Sequence, residues 1–321
     1  MTAVCLLDHQ DGLGLDFFDN ANSARMYEFL LGGVDNYAAD RTAAFAVYET
    51  AEWMPTAALI NRDYSLMSVG FSLDLGVRQF LDLGCGYPGW DNVHEITEKT
   101  QVGCPVVYVD RDAAVYAHAK CRLDEGPGTT VIHADLLAMD QLLTCEAVRA
   151  AYDLSAPVAV LLHDVLPWCA DDPAMHQAMA ILREWMPVGS TLSITHLTDH
   201  WHPATMPDVV ATYAEHGLQV RPRSPEEISD LFDGFTQQGP GLAATGRWHE
   251  QGQYVLHPEE HSAAFSGIAV KPASSTNRQC PTSASHDPAP RRPSDPQRTS
   301  IERSAEKEPA VQRRPHFRGH R

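Results

Sequence analysis

Three aspartates follow short apolar runs, and the first of them precedes a glycine-rich turn. Asp82 lies in QFLDLGCG, Asp110 ends PVVYVD and Asp135 ends TTVIHAD. Gly84 and Gly86 allow the backbone of the turn to approach a ligand closely. A carboxylate beside such a turn suits a ligand with positive charge, because opposite charges attract over a few ångströms. These residues therefore indicate a binding site for a cationic small molecule.

The same turn also fits the glycine spacing of dinucleotide-binding proteins. Gly84 to Gly89 matches G-x-G-x-x-G, and an acid follows the next apolar run, so a nicotinamide or flavin cofactor has to be considered. Asp82 argues against it, because a pyrophosphate already brings negative charge. Trp90 and Asp91, at the expected start of the next helix, also suit a pyrophosphate poorly. An NAD(P)-dependent oxidoreductase is therefore the less favoured alternative.

Two further apolar runs end in residues that could act on a substrate. His163 and Asp164 end PVAVLLHD, and His196 ends STLSITH. A histidine whose pKa lies near neutral can serve as a general base. A hydrogen-bonded histidine at a sheet edge is the plainer alternative, because the chain has 16 histidines. No cysteine or histidine spacing indicates zinc, so we expect no metal.

A scaffold must bring these strand ends together, and the hydrophobic pattern predicts one. From residue 76 to 270, short apolar runs alternate with amphipathic helices, which is typical of an α/β fold with a Rossmann-like, doubly wound parallel sheet. The carboxyl ends of such strands share one edge, where ligands bind. Residues 22–75 have helical periodicity and precede the first strand, so we expect a helical N-terminal cap.

The two ends of the chain have a different character. Residues 1–21 have no clear periodicity, and we expect a flexible arm. Residues 271–321 hold eight of the chain's 22 prolines, with eleven Lys or Arg and five Asp or Glu. Such a segment buries too little apolar surface to offset the entropy of ordering. We therefore expect a disordered, basic, Pro-rich C-terminal tail.

Composition excludes several classes of partner. The net charge is −18, and residues 1–270 alone carry −24, which argues against a nucleic-acid surface. No apolar run is long enough for a membrane span, and the N-terminus has no basic, signal-like region. The seven cysteines are scattered without a CxxC motif, which favours reduced thiols and a cytoplasmic protein. The oligomeric state is not indicated.

Two longer motifs carry a resemblance to a known family. YEFLLGGVDNYAADR (Tyr27 to Arg41) and QFLDLGCGYPGWDNVHE (Gln79 to Glu95) resemble an actinobacterial group of predicted S-adenosyl methyltransferases, which belong to the class I enzymes dependent on S-adenosyl-L-methionine (SAM). The likeness extends from about Ala24 to Pro272. It implies that the protein is a SAM-dependent methyltransferase, and the absence of a basic groove favours a small-molecule methyl acceptor. A non-catalytic SAM-binding or regulatory protein is the alternative.

The resemblance also implies roles for individual residues. The glycine turn holds the methionine part of SAM, Asp110 binds the ribose hydroxyls, and residues 134–136 hold adenine. A hinge at Gly32-Gly33 would let Asn36 and Tyr37 close over the cofactor as a lid. The expected cofactor-binding residues are Asp82, Gly84, Gly86, Asp110, Arg111, Ala134, Asp135, Leu136, Tyr37 and Asn36, and the catalytic candidates are His163, Asp164 and His196.

The segment after the fourth strand departs from the family pattern. It reads HDVLPWCADD, with Pro167 where the family commonly has a histidine. His163 and Asp164 stand where small apolar residues are usual. We therefore expect the acceptor side of the site to differ from that of its relatives.

Overall fold

The structure is a computed structural model that describes residues 18–89, 91–101, 103–124, 128–248 and 257–273. The predicted arm (1–21) and tail (271–321) fall largely outside these ranges, and both stay predictions. No helix in the described ranges is long and apolar enough to cross a membrane.

Three helices precede the first strand, as predicted for residues 22–75. They are α1 (Ser23–Leu30), α2 (Ala38–Thr50) and α3 (Met54–Asp74). Asn22 begins α1 as its N-cap, because its side-chain oxygen accepts hydrogen bonds from the backbone N–H groups of the first turn. A local sequence signal thus sets where this helix starts.

A buried ion pair joins α1 to α2. Arg25 Nε lies 2.8 Å from Asp40 Oδ2, and the two side chains are 2% and 0% exposed. Asp40 also accepts hydrogen bonds from the backbone N–H groups of Asn22 and Tyr37, at 2.8 Å each. These additional donors compensate the buried carboxylate for the loss of water.

Five parallel strands form the centre of the sheet. The chain adds β2 and β3 on one side of β1, then β4 and β5 on the other, giving the order β3-β2-β1-β4-β5. The strand order therefore reverses between β1 and β4, and the carboxyl ends of open α/β sheets bind ligands at such a point. The strands are β1 (Phe80–Leu83), β2 (Val106–Asp110), β3 (Thr129–His133), β4 (Ala159–His163) and β5 (Thr191–Leu197).

The C-terminal strands complete the sheet in the opposite direction. The long strand β8 (Ala264–Val270) runs antiparallel to β5, and the short strands β6 (Thr236–Gln237) and β7 (Ala243–Ala244) pair with it. The sheet is therefore mixed, with a parallel centre and an antiparallel side. The predicted doubly wound α/β fold with a helical N-terminal cap is confirmed.

The connecting helices follow the predicted alternation, with one difference. Between β3 and β4 the alternation predicts one helix, but residues 136–151 form a 3₁₀ turn (Leu136–Ala138) followed by two short helices, because the backbone of Cys145 is extended and ends the first of them. The helices after β1 are α4 (Val93–Thr100), α5 (Ala113–Arg122), α6 (Met139–Thr144), α7 (Glu146–Ala151), α8 (Asp172–Trp185), α9 (Met206–Glu215) and α10 (Pro225–Asp230).

Both faces of the parallel sheet are covered by apolar side chains. Alternate residues of a strand point to opposite faces, so Leu81 and Val107 belong to one buried cluster while Phe80 and Val106 belong to another. A third cluster packs α1 and α2 against α9. The N-terminal helices are thereby packed beside the carboxyl edge of the strands.

Candidate active site

The carboxyl ends of β1, β2, β3 and β4 border a cavity of about 340 Å³. Most of the residues predicted from the sequence meet there, because parallel strands end at one edge of the sheet. Those that line the cavity are Asp82, Gly84, Gly86, Asp110, Arg111, Ala134, Asp135, Leu136, His163 and Asp164.

The two glycines of the turn have left-handed backbones and different surroundings. Gly84 has φ +72°, and a Cβ there would lie 2.4 Å from Cγ2 of Val165. Gly86 has φ +64°, and a Cβ there would meet no heavy atom within 4 Å. Gly84 is therefore required by the packing of the protein itself, whereas Gly86 borders open space into which a ligand can fit closely.

Asp110 closes the turn from the end of β2. Its Oδ2 accepts a hydrogen bond from the Gly86 N–H at 3.0 Å, and its Oδ1 accepts one from the Asp112 N–H at 2.9 Å. Burial raises the pKa of Asp110 to about 6, while these backbone hydrogen bonds oppose the shift. A carboxylate has about four acceptor positions, so Asp110 can still accept hydrogen bonds from two ligand hydroxyls.

Asp82 and Arg62 place opposite charges on the wall of the cavity. Burial raises the pKa of Asp82 to about 7, the Arg62 cation opposes this shift, and the Asp110 carboxylate adds to it. Arg62 comes from α3, where its Nη2 donates to the carbonyl of Asp91 at 3.0 Å. One acid and one guanidinium suit the ammonium and carboxylate of an amino-acid group.

The end of the cavity beside β3 is more apolar. Ala134 and Leu136 are each 7% exposed, and the Ala134 N–H donates to the carbonyl of Asp110 at 3.1 Å. Asp135 caps the following turn by accepting from the Leu137 N–H at 2.8 Å. Arg111 Nη1 lies 3.8 Å from Asp135 Oδ2 at the exposed mouth. An apolar wall with polar groups at its rim fits a nucleobase.

His163 and Asp164 lie at the end of β4 and differ in basicity. Burial, assisted by the nearby Arg62 cation, lowers the pKa of His163 to about 3, and its Nε2 lies 2.9 Å from Ser193 Oγ. This imidazole is neutral and a weak base. Burial raises the pKa of Asp164 to about 7, which is the range of an effective proton acceptor. Asp164 has φ +54°, and its N–H donates to Thr195 Oγ1 at 2.8 Å.

His196 lies outside the cavity, under the loop that follows β4. It is fully buried, its Nδ1 hydrogen-bonds the carbonyl of Leu197 at 2.8 Å, and its Nε2 accepts from Arg223 Nη1 at 2.7 Å. Arg223 also donates to the carbonyls of Leu166 and Cys169, at 3.1 Å each. The structure therefore places His196 in a network that holds this loop and not beside a ligand.

Asn36 and Tyr37 also lie outside the described lining of the cavity. Asn36 Nδ2 donates to Glu28 Oε2 at 2.7 Å, and its Oδ1 accepts from Arg41 at 2.8 Å. The Tyr37 ring lies beneath the Arg25 guanidinium, which is 5.2 Å from its centroid. The polar groups of the Asn36 side chain are used within the connection between α1 and α2, and the Tyr37 ring packs against Arg25 there.

The N-terminal cap reaches the cavity through other residues. Asn22 and Tyr27 from the α1 region line it, and Asn22 Nδ2 donates to Asp112 Oδ2 at 2.8 Å. Asn61 and Arg62 line it from α3. The sequence holds a signal for one face of α3, since small polar residues recur there at helical spacing. They are Asn61, Ser65, Ser68 and Ser72.

The overall charge of the cavity bears on the choice of cofactor. Six aspartates and two arginines line it. This excess of carboxylates opposes a pyrophosphate and attracts SAM, whose sulfonium and ammonium outnumber its one carboxylate. The space above Gly86 and the acceptor positions of Asp110 also fit this molecule. In the described part of the chain, no group of three or more His, Cys, Asp or Glu side chains could hold a metal ion.

Comparison with known proteins agrees with this geometry. The family described as S-adenosyl methyltransferase matches residues 13–272. A DUF574 family protein from Streptomyces avermitilis MA-4680 is 29% identical with a TM-score of 0.76, over 79% of this chain and 99% of that chain. A candidate methyltransferase from Thermobifida fusca YX is 31% identical with a TM-score of 0.74, over 80% and 97%. No curated protein matches the sequence.

The fold, the carboxylate-rich site at its carboxyl edge and these matches lead to one conclusion. The predicted reaction type and cofactor are confirmed, and the oxidoreductase alternative has no support. The chain belongs to the S-adenosyl methyltransferase family and is a SAM-dependent methyltransferase.

Proposed function

We propose that the protein transfers the methyl group of SAM to a small molecule that binds beside the end of β4. The observation that carries this proposal is a second cavity of about 40 Å³. Its walls are mostly apolar, and it lies under the N-terminal helices. It shares with the first cavity the residues Ser23, Tyr27, Asn61, Asp164 and Trp168.

The residues of the larger cavity suggest how the cofactor lies. Asp82 and Arg62 are suited to its amino-acid group, Asp110 to its ribose, and Ala134 and Leu136 to its adenine. SAM supplies an electrophilic methyl group on a sulfonium. The protein supplies binding, orientation and the exclusion of water, which together bring the acceptor atom into line with that methyl group. We place the acceptor next to Asp164, because this residue borders both cavities.

The size of the second cavity favours a small acceptor. A volume of about 40 Å³ holds roughly three water molecules, since one water needs about 10–15 Å³. Helices α1 and α3 contribute Met26, Leu30 and Ala57 to its wall. A macromolecule could present only a short side chain there, and the acidic body of the chain opposes nucleic acid.

The experiment is to incubate the protein with SAM and a fractionated extract of small molecules. We expect S-adenosylhomocysteine to form only with some fractions, each containing a product that has gained one methyl group by mass spectrometry. SAM binding without turnover in any fraction would favour the non-catalytic alternative. Turnover only with the macromolecular fraction would contradict a small-molecule acceptor.

A further inference from the structure

Asn61 holds an unused hydrogen-bond acceptor where the two cavities meet. The residue is 6% exposed and lines both cavities. The Tyr27 hydroxyl donates its one hydrogen to the carbonyl of Ala58 at 3.1 Å, so it accepts a hydrogen bond from Asn61 Nδ2 at 2.8 Å. In this orientation of the amide the Tyr27 hydroxyl makes both bonds, whereas the opposite orientation would make Asn61 Oδ1 compete with the Ala58 carbonyl for its one hydrogen. Asn61 Oδ1 has no hydrogen-bond partner among the described residues.

A buried acceptor without a donor is costly, so this oxygen points to a ligand that carries an N–H or O–H group. Asp164 supplies a second acceptor, because it borders both cavities as well. Its backbone N–H donates to Thr195 Oγ1, and among the described residues no donor bonds its carboxylate. Arg62 borders only the larger cavity of the two. Between the cavities, therefore, the protein presents these two acceptors, together with the Ser23 hydroxyl, which can donate or accept, and the Trp168 ring, which carries one donor.

The rest of the smaller cavity is apolar and takes a hydrocarbon group. Its wall includes Met26, Leu30, Met54, Leu197 and Tyr213. A carboxylate would offer no donor and would be repelled by Asp164, and an alcohol has only one hydrogen to donate. A primary amine has enough hydrogens for both acceptors, and its positive form is attracted to the carboxylate.

We infer that the methyl acceptor is a small amine with an apolar body, whose nitrogen donates to Asn61 Oδ1 and to the Asp164 carboxylate. This inference rests on the proposed function. After the bound ammonium loses one proton, the nitrogen lone pair forms the new N–C bond with the methyl carbon. The electron pair of the broken C–S bond goes to sulfur. The methylated nitrogen then carries one positive charge, and the Asp164 carboxylate holds the one proton that the ammonium lost.

The test is a binding comparison of three probes with the same branched four-carbon skeleton: isobutylamine, isobutanol and isobutyrate. Binding is measured by ligand-observed NMR with the protein saturated by S-adenosylhomocysteine. We expect isobutylamine to bind at least tenfold more tightly than isobutanol, and isobutyrate not to bind. Equal or tighter binding of the alcohol or the acid would overturn the inference.

Three variants test whether binding depends on the acceptor oxygens of Asp164 and Asn61 or only on the size of these side chains. Asp164→Asn removes the charge but suits the left-handed backbone, because asparagine tolerates φ > 0. Asn61→Leu removes the amide oxygen, whereas Asn61→Asp keeps an acceptor. We expect Asp164→Asn and Asn61→Leu to lower the affinity for isobutylamine at least tenfold. Asn61→Asp should still bind isobutylamine. A matched control is Asp208→Asn, a change at an exposed site on α9 that lines neither cavity.

Titration with S-adenosylhomocysteine separates this inference from the proposed function. Each variant should bind S-adenosylhomocysteine within threefold of the unmodified protein, since neither acceptor is assigned to the cofactor. Failure of the unmodified protein to bind S-adenosylhomocysteine would refute the proposed function. Normal cofactor binding with unchanged isobutylamine affinity in Asp164→Asn and Asn61→Leu would refute the amine inference alone.

Discussion

The two left-handed glycines of the cofactor turn should respond differently to replacement by alanine. At Gly84 the new Cβ would lie 2.4 Å from Val165 Cγ2 and 2.7 Å from its Cβ, and φ is +72°. The left-handed backbone costs about 1–2 kcal/mol for a residue with a Cβ, and overpacking adds about 1–3 kcal/mol. Gly84→Ala should therefore lower the free energy of unfolding by about 2–5 kcal/mol, a large share of the stability of a typical domain.

At Gly86 the same change should affect binding more than folding. Its φ is +64°, but a Cβ there would meet no heavy atom within 4 Å. Only the backbone cost of about 1–2 kcal/mol applies to stability. The added methyl group would occupy space that we assign to the cofactor, so we expect affinity for SAM to fall at least tenfold, or about 1.4 kcal/mol.

Urea denaturation without ligand and calorimetric titration with S-adenosylhomocysteine measure the two effects separately. The control is a double-mutant cycle with Val165→Ala, which removes the Val165 Cγ2 atom nearest the new Cβ of Gly84→Ala but keeps Val165 Cβ. We expect a favourable coupling of about 1–3 kcal/mol between these two changes, the part of the loss that comes from overpacking. The reasoning is refuted if Gly84→Ala is no less stable than Gly86→Ala, or if the cycle shows no coupling.

Three further predictions concern charged residues. Asp110→Asn keeps the volume of the side chain but loses acceptor positions for the ribose. Calorimetry should therefore show about 30-fold weaker SAM binding, or about 2 kcal/mol, the value of a hydrogen bond to a charged group. Unchanged SAM affinity would contradict this role of Asp110. Burial raises the pKa of Asp82 to about 7, of Asp110 to about 6 and of Asp164 to about 7. The folded protein without ligand then holds protons that the unfolded chain releases, so its free energy of unfolding should fall as the pH rises from about 4 to 7. The affinity for SAM should rise from pH 6 to 7, because a cation favours ionised carboxylates. Calorimetry in buffers of different ionisation enthalpy should then show that binding releases protons. An affinity for SAM independent of pH would contradict this prediction. Arg223→Met should lower the free energy of unfolding by about 3 kcal/mol, because it removes a buried guanidinium that donates to His196 and to the carbonyls of Leu166 and Cys169. Arg221→Met, at a more exposed site, should cost less in the same denaturation assay. Equal losses in the two arginine variants would show that burial is not the reason.

Local sequence patterns determined the elements and much of the cofactor site. The sequence offers Asn22 or Ser23 as the cap of α1, of which the structure uses Asn22, and Ser224 with Glu227 predicts the start of α10. Both signals are local because capping hydrogen bonds join residues only two or three positions apart. The sequence likewise indicates Asp82 and Asp110 as site residues from local patterns. A strand that ends in an acid can be read locally, and parallel strands bring their ends to one edge whatever the order of the sheet.

The N-terminal helices show what only the tertiary structure decided. Tyr27, Asn61 and Arg62 reach the cavity from helices that precede the first strand. The polar spacing that includes Asn61 marks a face of α3. No local sequence pattern indicates that this face meets the end of β4. The predicted lid residues Asn36 and Tyr37 are absent from the described lining of the cavity. The Asn36 side chain instead bonds Glu28 and Arg41, and Tyr37 donates its backbone N–H to Asp40.

The two strand-end histidines also show what the sequence determines and what only the tertiary structure decides. His163 and His196 look alike in the sequence, each at the end of an apolar run. His163 lines the cavity, whereas His196 is buried, because Arg223 returns from a later part of the chain and binds it. The antiparallel strand β8 likewise pairs with β5 from far along the chain. Spacing along the chain determines which residues stand at a strand end, and contacts between distant segments decide which of those residues a ligand can reach.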